Sequence, residues 1–341
     1  MNNLKNISDS DFIEFLNNLI NGSEINTEQI IEIFKICLSK SKSNPDILKL
    51  TEELKLKLDN EIIDKMFNYF IYRQSGQKHI HKSIYNEALL LKGDNLETLS
   101  ILKDNSIHLI FTSPPYYNAK DYSQYKSYKD YLNKMYLVLK ECHRVLEEGR
   151  FIIINVSPVI SKRPDRYYES IRYPLHFDFH NLLTNSGFYF IDEIIWIKPE
   201  PSVKNRIGNY LQIQTPLTYK PNCISESLLV YRKNSPFLIG ENLRDYNKSI
   251  IEKEDNFETS NCWHLNPVFN KNHSAVFPEE LCRRILRFYS FPNDSVLDCF
   301  AGSGTFGRVA LKMNRIPILC EINENYCNLI NKDNNYKIIK K

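Results

Sequence analysis

The sequence predicts an α/β fold: a doubly wound, mostly parallel sheet of seven strands behind a helical N-terminal extension. Two observations carry this expectation. From about residue 88 onward, seven short apolar runs recur at 89–91, 107–111, 151–156, 189–197, 227–231, 296–299 and 317–320. Helical stretches such as 128–146 and 279–289 lie between them, as right-handed parallel crossovers require. Before residue 88 only helical spacing is visible.

In that first region Ile13, Leu16, Leu19 and Ile20 recur at helical intervals, as do Ile30, Ile31, Ile33, Phe34 and Cys37. A third helix is predicted to open at Asn44-Pro45, because proline suits the first helical turn, where its missing N–H is no loss. Residues 1–85 are therefore expected to be a helical accessory domain, and residues 86–341 the α/β domain.

Composition narrows the class. No apolar run approaches the roughly 18 to 20 residues that span a bilayer, and the start has no apolar signal core, so a cytoplasmic protein with no membrane partner is expected. Eight cysteines occur without any C-x-x-C pair, so no metal site and no disulfide framework are expected. Residues 1–75 hold 9 Lys/Arg against 12 Asp/Glu, although the whole chain carries +3. The basic excess lies in the second part, including 9 basic against 5 acidic side chains over 198–253, and a polyanion would meet that part. Two long polar insertions, 157–173 and 198–272, interrupt the strand pattern and mix basic with aromatic residues. Arg163, Arg166, Lys204, Arg206, Asn209 and Arg244 there could contact phosphates or base edges, and a solvated polar loop explains them equally well.

Ser295-Val296-Leu297-Asp298-Cys299-Phe300-Ala301-Gly302-Ser303-Gly304-Thr305 reads as a strand, a turn of small residues and a helix start. The third glycine of a dinucleotide fingerprint is missing from its usual place and no G-K-[ST] follows, which argues against nicotinamide binding and a P-loop. Glu321, after the next strand, is placed to accept the two ribose hydroxyls of an adenosine. Taken alone, these residues could also be a plain strand-to-helix turn with a surface glutamate.

Asp298-x-Phe300-Ala301-Gly302-Ser303-Gly304-Thr305 resembles the S-adenosylmethionine loop of the amino-methylating DNA methyltransferases. His273-Ser274-Ala275-Val276-Phe277-Pro278-Glu279-Glu280-Leu281 resembles the segment that in this family packs beside the methionine part of the cofactor. Lys92-Gly93-Asp94-Asn95 resembles its Gly-Asp step, whose carboxylate meets the adenine amino group. The resemblance implies a Rossmann-like class I methyltransferase fold and a cofactor site built from Asp94, Thr112, Ala275, Phe277, Asp298, Phe300, Ala301, Gly302, Ser303, Gly304, Thr305, Glu321 and Asn323.

The run 107–112 reads as a buried strand that stops at Ser113-Pro114-Pro115-Tyr116, where two prolines end hydrogen bonding and stiffen the loop. Such a loop lies at the carboxyl edge of the sheet, where open α/β sheets bind ligands. An exocyclic amine is a poor nucleophile because its lone pair is delocalised into the ring. Two fixed acceptors, the Ser113 hydroxyl and the Pro114 carbonyl, would draw it toward tetrahedral geometry, with Tyr116 stacked on a base flipped out of the duplex. The catalytic loop precedes the cofactor loop, an order that resembles the circularly permuted β class over about residues 88–330. Ile194-Ile195-Trp196-Ile197-Lys198-Pro199 and Ser227-Leu228-Leu229-Val230-Tyr231-Arg232-Lys233 resemble later blocks of that family and bracket the expected target-recognition region.

Ser113 at the head of the loop resembles the N4-cytosine enzymes, whereas Asp or Asn is more usual for N6-adenine. The resemblance thus implies methylation of cytosine N4 in double-stranded DNA, beside a cognate restriction endonuclease, by a monomer or homodimer. N6-adenine methylation, an RNA methyltransferase and an inactive nucleic-acid-binding module are the alternatives. C5 methylation needs a Pro-Cys pair in this loop, and Tyr116 follows Pro115 instead; Cys299, like His180 and Trp263, is expected to be structural.

Overall fold

The computed structural model describes residues 4, 7–22, 27–58, 63, 83–117, 125–160, 165, 167–168, 170–202, 217, 221–234, 258–270, 273–332 and 335–340. Arg163, Arg166, Lys204, Arg206, Asn209 and Arg244 lie outside the described residues. The chain forms two compact units, and the described N-terminal helices and the sheet fall in different ones.

The first contains α1 (Asp9–Gly22), α2 (Thr27–Lys40) and α3 (Pro45–Leu58). Phe12, Leu16, Phe34, Cys37, Ile47 and Leu54 close a core of their own. The Asn44 side chain accepts from the Asp46 amide at 3.1 Å, capping α3, and Pro45 opens the helix as its fixed φ predicts.

The second unit is built on one sheet. Its strands are β1 (Leu89–Lys92), β2 (Ile107–Thr112), β3 (Leu146–Val156), β6 (Phe188–Ile197), β7 (Ser225–Lys233), β8 (Cys262–His264), β11 (Ser295–Asp298), β12 (Ile316–Glu321) and β13 (Lys337–Lys340). They lie in the order β13-β1-β12-β11-β2-β3-β7-β6-β8. Two short hairpins accompany it, β4 (Val159–Ile160) with β5 (Arg172–Tyr173) and β9 (Val268–Asn270) with β10 (His273–Val276). All seven predicted strands are present. The sheet has nine because β8 and β13 extend its edges with Cys262-Trp263-His264 and Lys337-Ile338-Ile339-Lys340, segments with no more than two consecutive apolar residues to mark them. Neighbours are parallel except at β7, which runs against both β3 and β6.

Helices α4 (Asn95–Leu99), α5 (Tyr128–Val145), α6 (Leu175–Asn185), α7 (Glu279–Tyr289), α8 (Thr305–Lys312) and α9 (Glu324–Ile330) cover the sheet. Alternating side chains divide the core in two. Ile152, Ile154 and Leu297 join Met135, Leu139 and Phe179 of α5 and α6, whereas Phe111, Ile153 and Val296 join Leu281, Ile285, Phe306 and Val309 of α7 and α8. A strand hydrophobic on both faces needs helices on both, so the continuous apolar runs enforce double winding.

Gly307 shows how closely α8 approaches. A Cβ built there would lie 2.5 Å from the Tyr336 hydroxyl and 2.6 Å from Leu319 Cδ1. Gly307→Ala is therefore expected to destabilise by about 1–3 kcal/mol through overpacking, read as a lowered thermal midpoint, even though alanine is the better helix former.

Candidate active site

Parallel strands end together, so β1, β2, β11 and β12 deliver Lys92, Thr112, Asp298 and Glu321 to one edge. Thr112 and Asp298 are 1% and 2% exposed, and the Thr112 hydroxyl donates to Asp298 Oδ1 at 2.6 Å. The Phe300 amide donates to the same oxygen at 3.1 Å. The loop after β2 and the turn after β11 are thereby held side by side. Phe111, one residue before Thr112, stacks on Phe277 at 4.7 Å and meets Phe306 edge-on at 5.3 Å, which fixes the base of both loops.

The turn after β11 is shaped for close approach. Gly302 and Gly304 have φ of 52° and 74°, and a Cβ on Gly304 would strike Ile330 at 2.7 Å. Glu321 closes the turn: Oε2 accepts from the Gly302 amide at 2.7 Å and Oε1 from the Asn323 amide at 2.8 Å. The carboxylate keeps acceptor capacity beyond these amides, so the residues fit a ligand that offers a hydroxyl. Burial pushes the Glu321 carboxyl above its ordinary range while the three amides of Asn323, Gly302 and Ile322 draw it back. Arg308 braces the turn from behind through the Ser303 carbonyl and the Thr305 hydroxyl.

Asp94 stands at the start of α4, where Oδ1 accepts from the Leu96 amide at 2.9 Å and both oxygens lie 2.9 Å from Lys134 Nζ. Asn323 caps α9 through its side chain, so its backbone rather than its carboxamide faces Glu321. Ala275 lies in β10, shortly before Phe277 in the chain.

In the loop after β2, the Ser113 hydroxyl donates to the Asn155 carbonyl at 3.1 Å. A carbonyl cannot donate, so Ser113 is the donor in this bond and its oxygen keeps the capacity to accept. Asn155 Nδ2 approaches Ser113 Oγ at 3.5 Å and also donates to Glu226 Oε2. The Tyr116 hydroxyl donates to that same oxygen at 3.1 Å, and Lys198 pairs with Oε1. Burial, and next the Glu226 charge, hold the Tyr116 phenol well above its ordinary range, so it remains a donor at neutral pH. Sequence reasoning missed Asn155 and Glu226. Asn155 stands at the carboxyl end of β3, the ordinary place for a site residue, whereas the signal of Glu226 is topological, because β7 runs antiparallel and its first residues reach the edge where the other strands finish.

The buried Cys299 thiol, hydrogen-bonded with Cys142, is pushed well above the usual thiol range and cannot serve as a thiolate. His180 hydrogen-bonds the Tyr231 hydroxyl, and the Trp263 indole donates to the Ser260 carbonyl at 3.0 Å. All three side chains are engaged by neighbours within the fold.

A family model described as DNA methylase, for N6 and N4 methyltransferases, matches residues 107–332. The chain belongs to this family. Among curated relatives, the type II beta methyltransferase M.BslI of Bacillus sp. (strain NEB-606) is 31% identical over 76% of this chain, and M.BglII of Bacillus subtilis is 27% identical over 82% of it and 75% of its own length. The chain spans 29% of M.BslI and 30% of M.MwoI. The DNA adenine methyltransferase YhdJ of Escherichia coli K12 is 28% identical over 71% of this chain and 81% of its own. A Thermus thermophilus protein assigned as a DNA modification methylase, solved with S-adenosyl-L-methionine, superposes with a TM-score of 0.58 at 26% identity, covering 74% of this chain and 97% of that one. The chain thus has the class I, Rossmann-like fold expected from its sequence.

Buried Asp298 gives the chain a pH signature. Burial lifts its carboxyl to about 7 against the Thr112 and Phe300 hydrogen bonds, with Glu321 adding repulsion. The folded chain then holds this proton more tightly than the unfolded one. The stabilisation is fully present below the unfolded value, near 4, and is lost as pH rises through about 7. Asp298→Asn removes the titration, so its thermal midpoint is expected to gain on that of the unaltered chain between pH 5 and 8.

Proposed function

We propose that the protein transfers a methyl group from S-adenosylmethionine to the N4 amino group of a flipped-out cytosine in double-stranded DNA, as the modification enzyme of a restriction-modification system. The observation that carries this reading is the Ser113 hydroxyl, whose hydrogen bond to the Asn155 carbonyl leaves its oxygen able to accept. Bound S-adenosylmethionine supplies an electrophilic methyl group on a sulfonium. Glu321 accepts the ribose hydroxyls, the Gly302 and Gly304 backbone permits close approach, and Ile322, 70% exposed beside Glu321, offers apolar surface to the adenine. Ser113 Oγ and the Pro114 carbonyl accept the two amino protons, turning the nitrogen lone pair out of the ring. Tyr116 stacks on the base and offsets the few kcal/mol needed to unstack it. Arg163, Arg166, Lys204, Arg206, Asn209 and Arg244 contact phosphates or base edges of the duplex.

Ser113 in place of an acidic or amide residue favours cytosine. The second reading, methylation of adenine N6, draws on the similarity to YhdJ, a DNA adenine methyltransferase. Transfer of tritium from labelled S-adenosylmethionine to mixed-sequence DNA, with RNA offered in competition, tests the activity. Base-resolution sequencing of DNA from expressing cells is expected to recover N4-methylcytosine, and N6-methyladenine would replace the target assignment.

Ser113→Ala is expected to lower kcat by about 10²- to 10³-fold with unchanged cofactor affinity. Glu321→Ala is expected to weaken cofactor binding by about 10- to 100-fold, the worth of a hydrogen bond to a charged group, in equilibrium titration.

A further inference from the structure

We propose that Glu226 is a positioning residue of the catalytic centre, orienting the Tyr116 ring that covers the target base and, through Asn155, the Ser113 hydroxyl that accepts its amino proton. The role rests on the function proposed above and adds to it a residue outside the Ser113–Tyr116 loop.

Three other chain segments converge on this one carboxylate. Lys198, just beyond β6, pairs with Oε1, while Tyr116 from the β2 loop and Asn155 from β3 both donate to Oε2. The Glu226 and Lys198 side chains are 13% and 16% exposed, so the interactions among these groups are weakly screened by water. The division of labour between the two oxygens is chemical. Lys198 balances the charge, which leaves Oε2 free to take two neutral donors. A tyrosine that stacks on a base needs its ring plane fixed, and a hydrogen bond at the far end of the ring is the means with the longest lever. Asn155 Nδ2 lies 3.5 Å from Ser113 Oγ as well, so the same carboxylate reaches both walls of the base site. Asn155 Oδ1 is buried with no hydrogen-bond partner among the described residues, an acceptor suited to a donor arriving with the substrate.

A double-mutant cycle tests the role. Glu226→Gln, Tyr116→Phe and the double variant are assayed with tritiated S-adenosylmethionine and unmethylated genomic DNA, with cofactor Kd measured separately by titration. Glu226→Gln is expected to lower kcat about 10- to 100-fold with cofactor Kd within about twofold, and the double variant to be no more than about threefold slower than the slower single. Effects that multiply, or a Glu226→Gln variant with kcat within about threefold of the unaltered chain, would overturn the proposal. Lys198→Met, which leaves the carboxylate without its counter-charge, enters the same cycle if Glu226→Gln does not fold. No transfer by the unaltered chain overturns the proposed function itself, whereas multiplicative effects in an active chain overturn only the role of Glu226.

Discussion

The hydrogen bond from Thr112 to Asp298 is the constraint on which the rest of the site depends. The two residues end neighbouring parallel strands, and everything chemical follows them in the chain: Ser113 to Tyr116 after one, the glycine turn after the other. With the carboxyl nearly free of water, this bond and the Phe300 amide are what offset its desolvation. The same pair therefore sets the spacing between the two loops and makes it sensitive to a single proton.

Burial is arranged differently at the two ends of the sheet. At the far end, Arg150 pairs with the fully buried Asp294, Lys233 reaches the Leu146 carbonyl at 2.7 Å and Asn105 at 2.6 Å, and the Ser295 amide donates to His108 Nδ1 at 2.9 Å. Removing one partner of the Arg150–Asp294 pair would strand a buried charge. At the catalytic end the polar groups hold one another yet keep capacity to spare. Ser113 retains lone pairs, Glu321 retains lone pairs, and Asn155 retains a whole acceptor. The far end holds a buried ion pair, and the catalytic end holds acceptors in fixed positions.

Much of this was legible in the sequence, for reasons that can be named. Central strands such as 107–112 announce themselves because a strand covered on both faces must be apolar throughout. Ser113-Pro114-Pro115-Tyr116 and Gly302 to Gly304 are legible because prolines and glycines impose backbone geometry by themselves. Less legible was anything set by pairing. The edge strands β8 and β13 carry too few residues for a period. Asn323 also caps a helix, and no local pattern foretells that Asp94 pairs with Lys134, 40 residues on.

Glu226 shows most clearly where one-dimensional reasoning stops. Residues for an active site are sought at the carboxyl ends of strands, because a parallel sheet presents those ends together. A single reversed strand breaks that rule. By running against its neighbours, β7 places its beginning, not its end, beside Ser113 and Tyr116, so the residues that count are the ones preceding its apolar run. In the sequence they look like a polar lead-in of Ser225-Glu226-Ser227. Only the strand direction reveals that this lead-in lies against the catalytic loop, and strand direction is a property of the whole sheet rather than of any segment. A doubly wound sheet with one antiparallel strand therefore has two kinds of active-site address, and the second kind is read by asking which polar residues open the reversed strand.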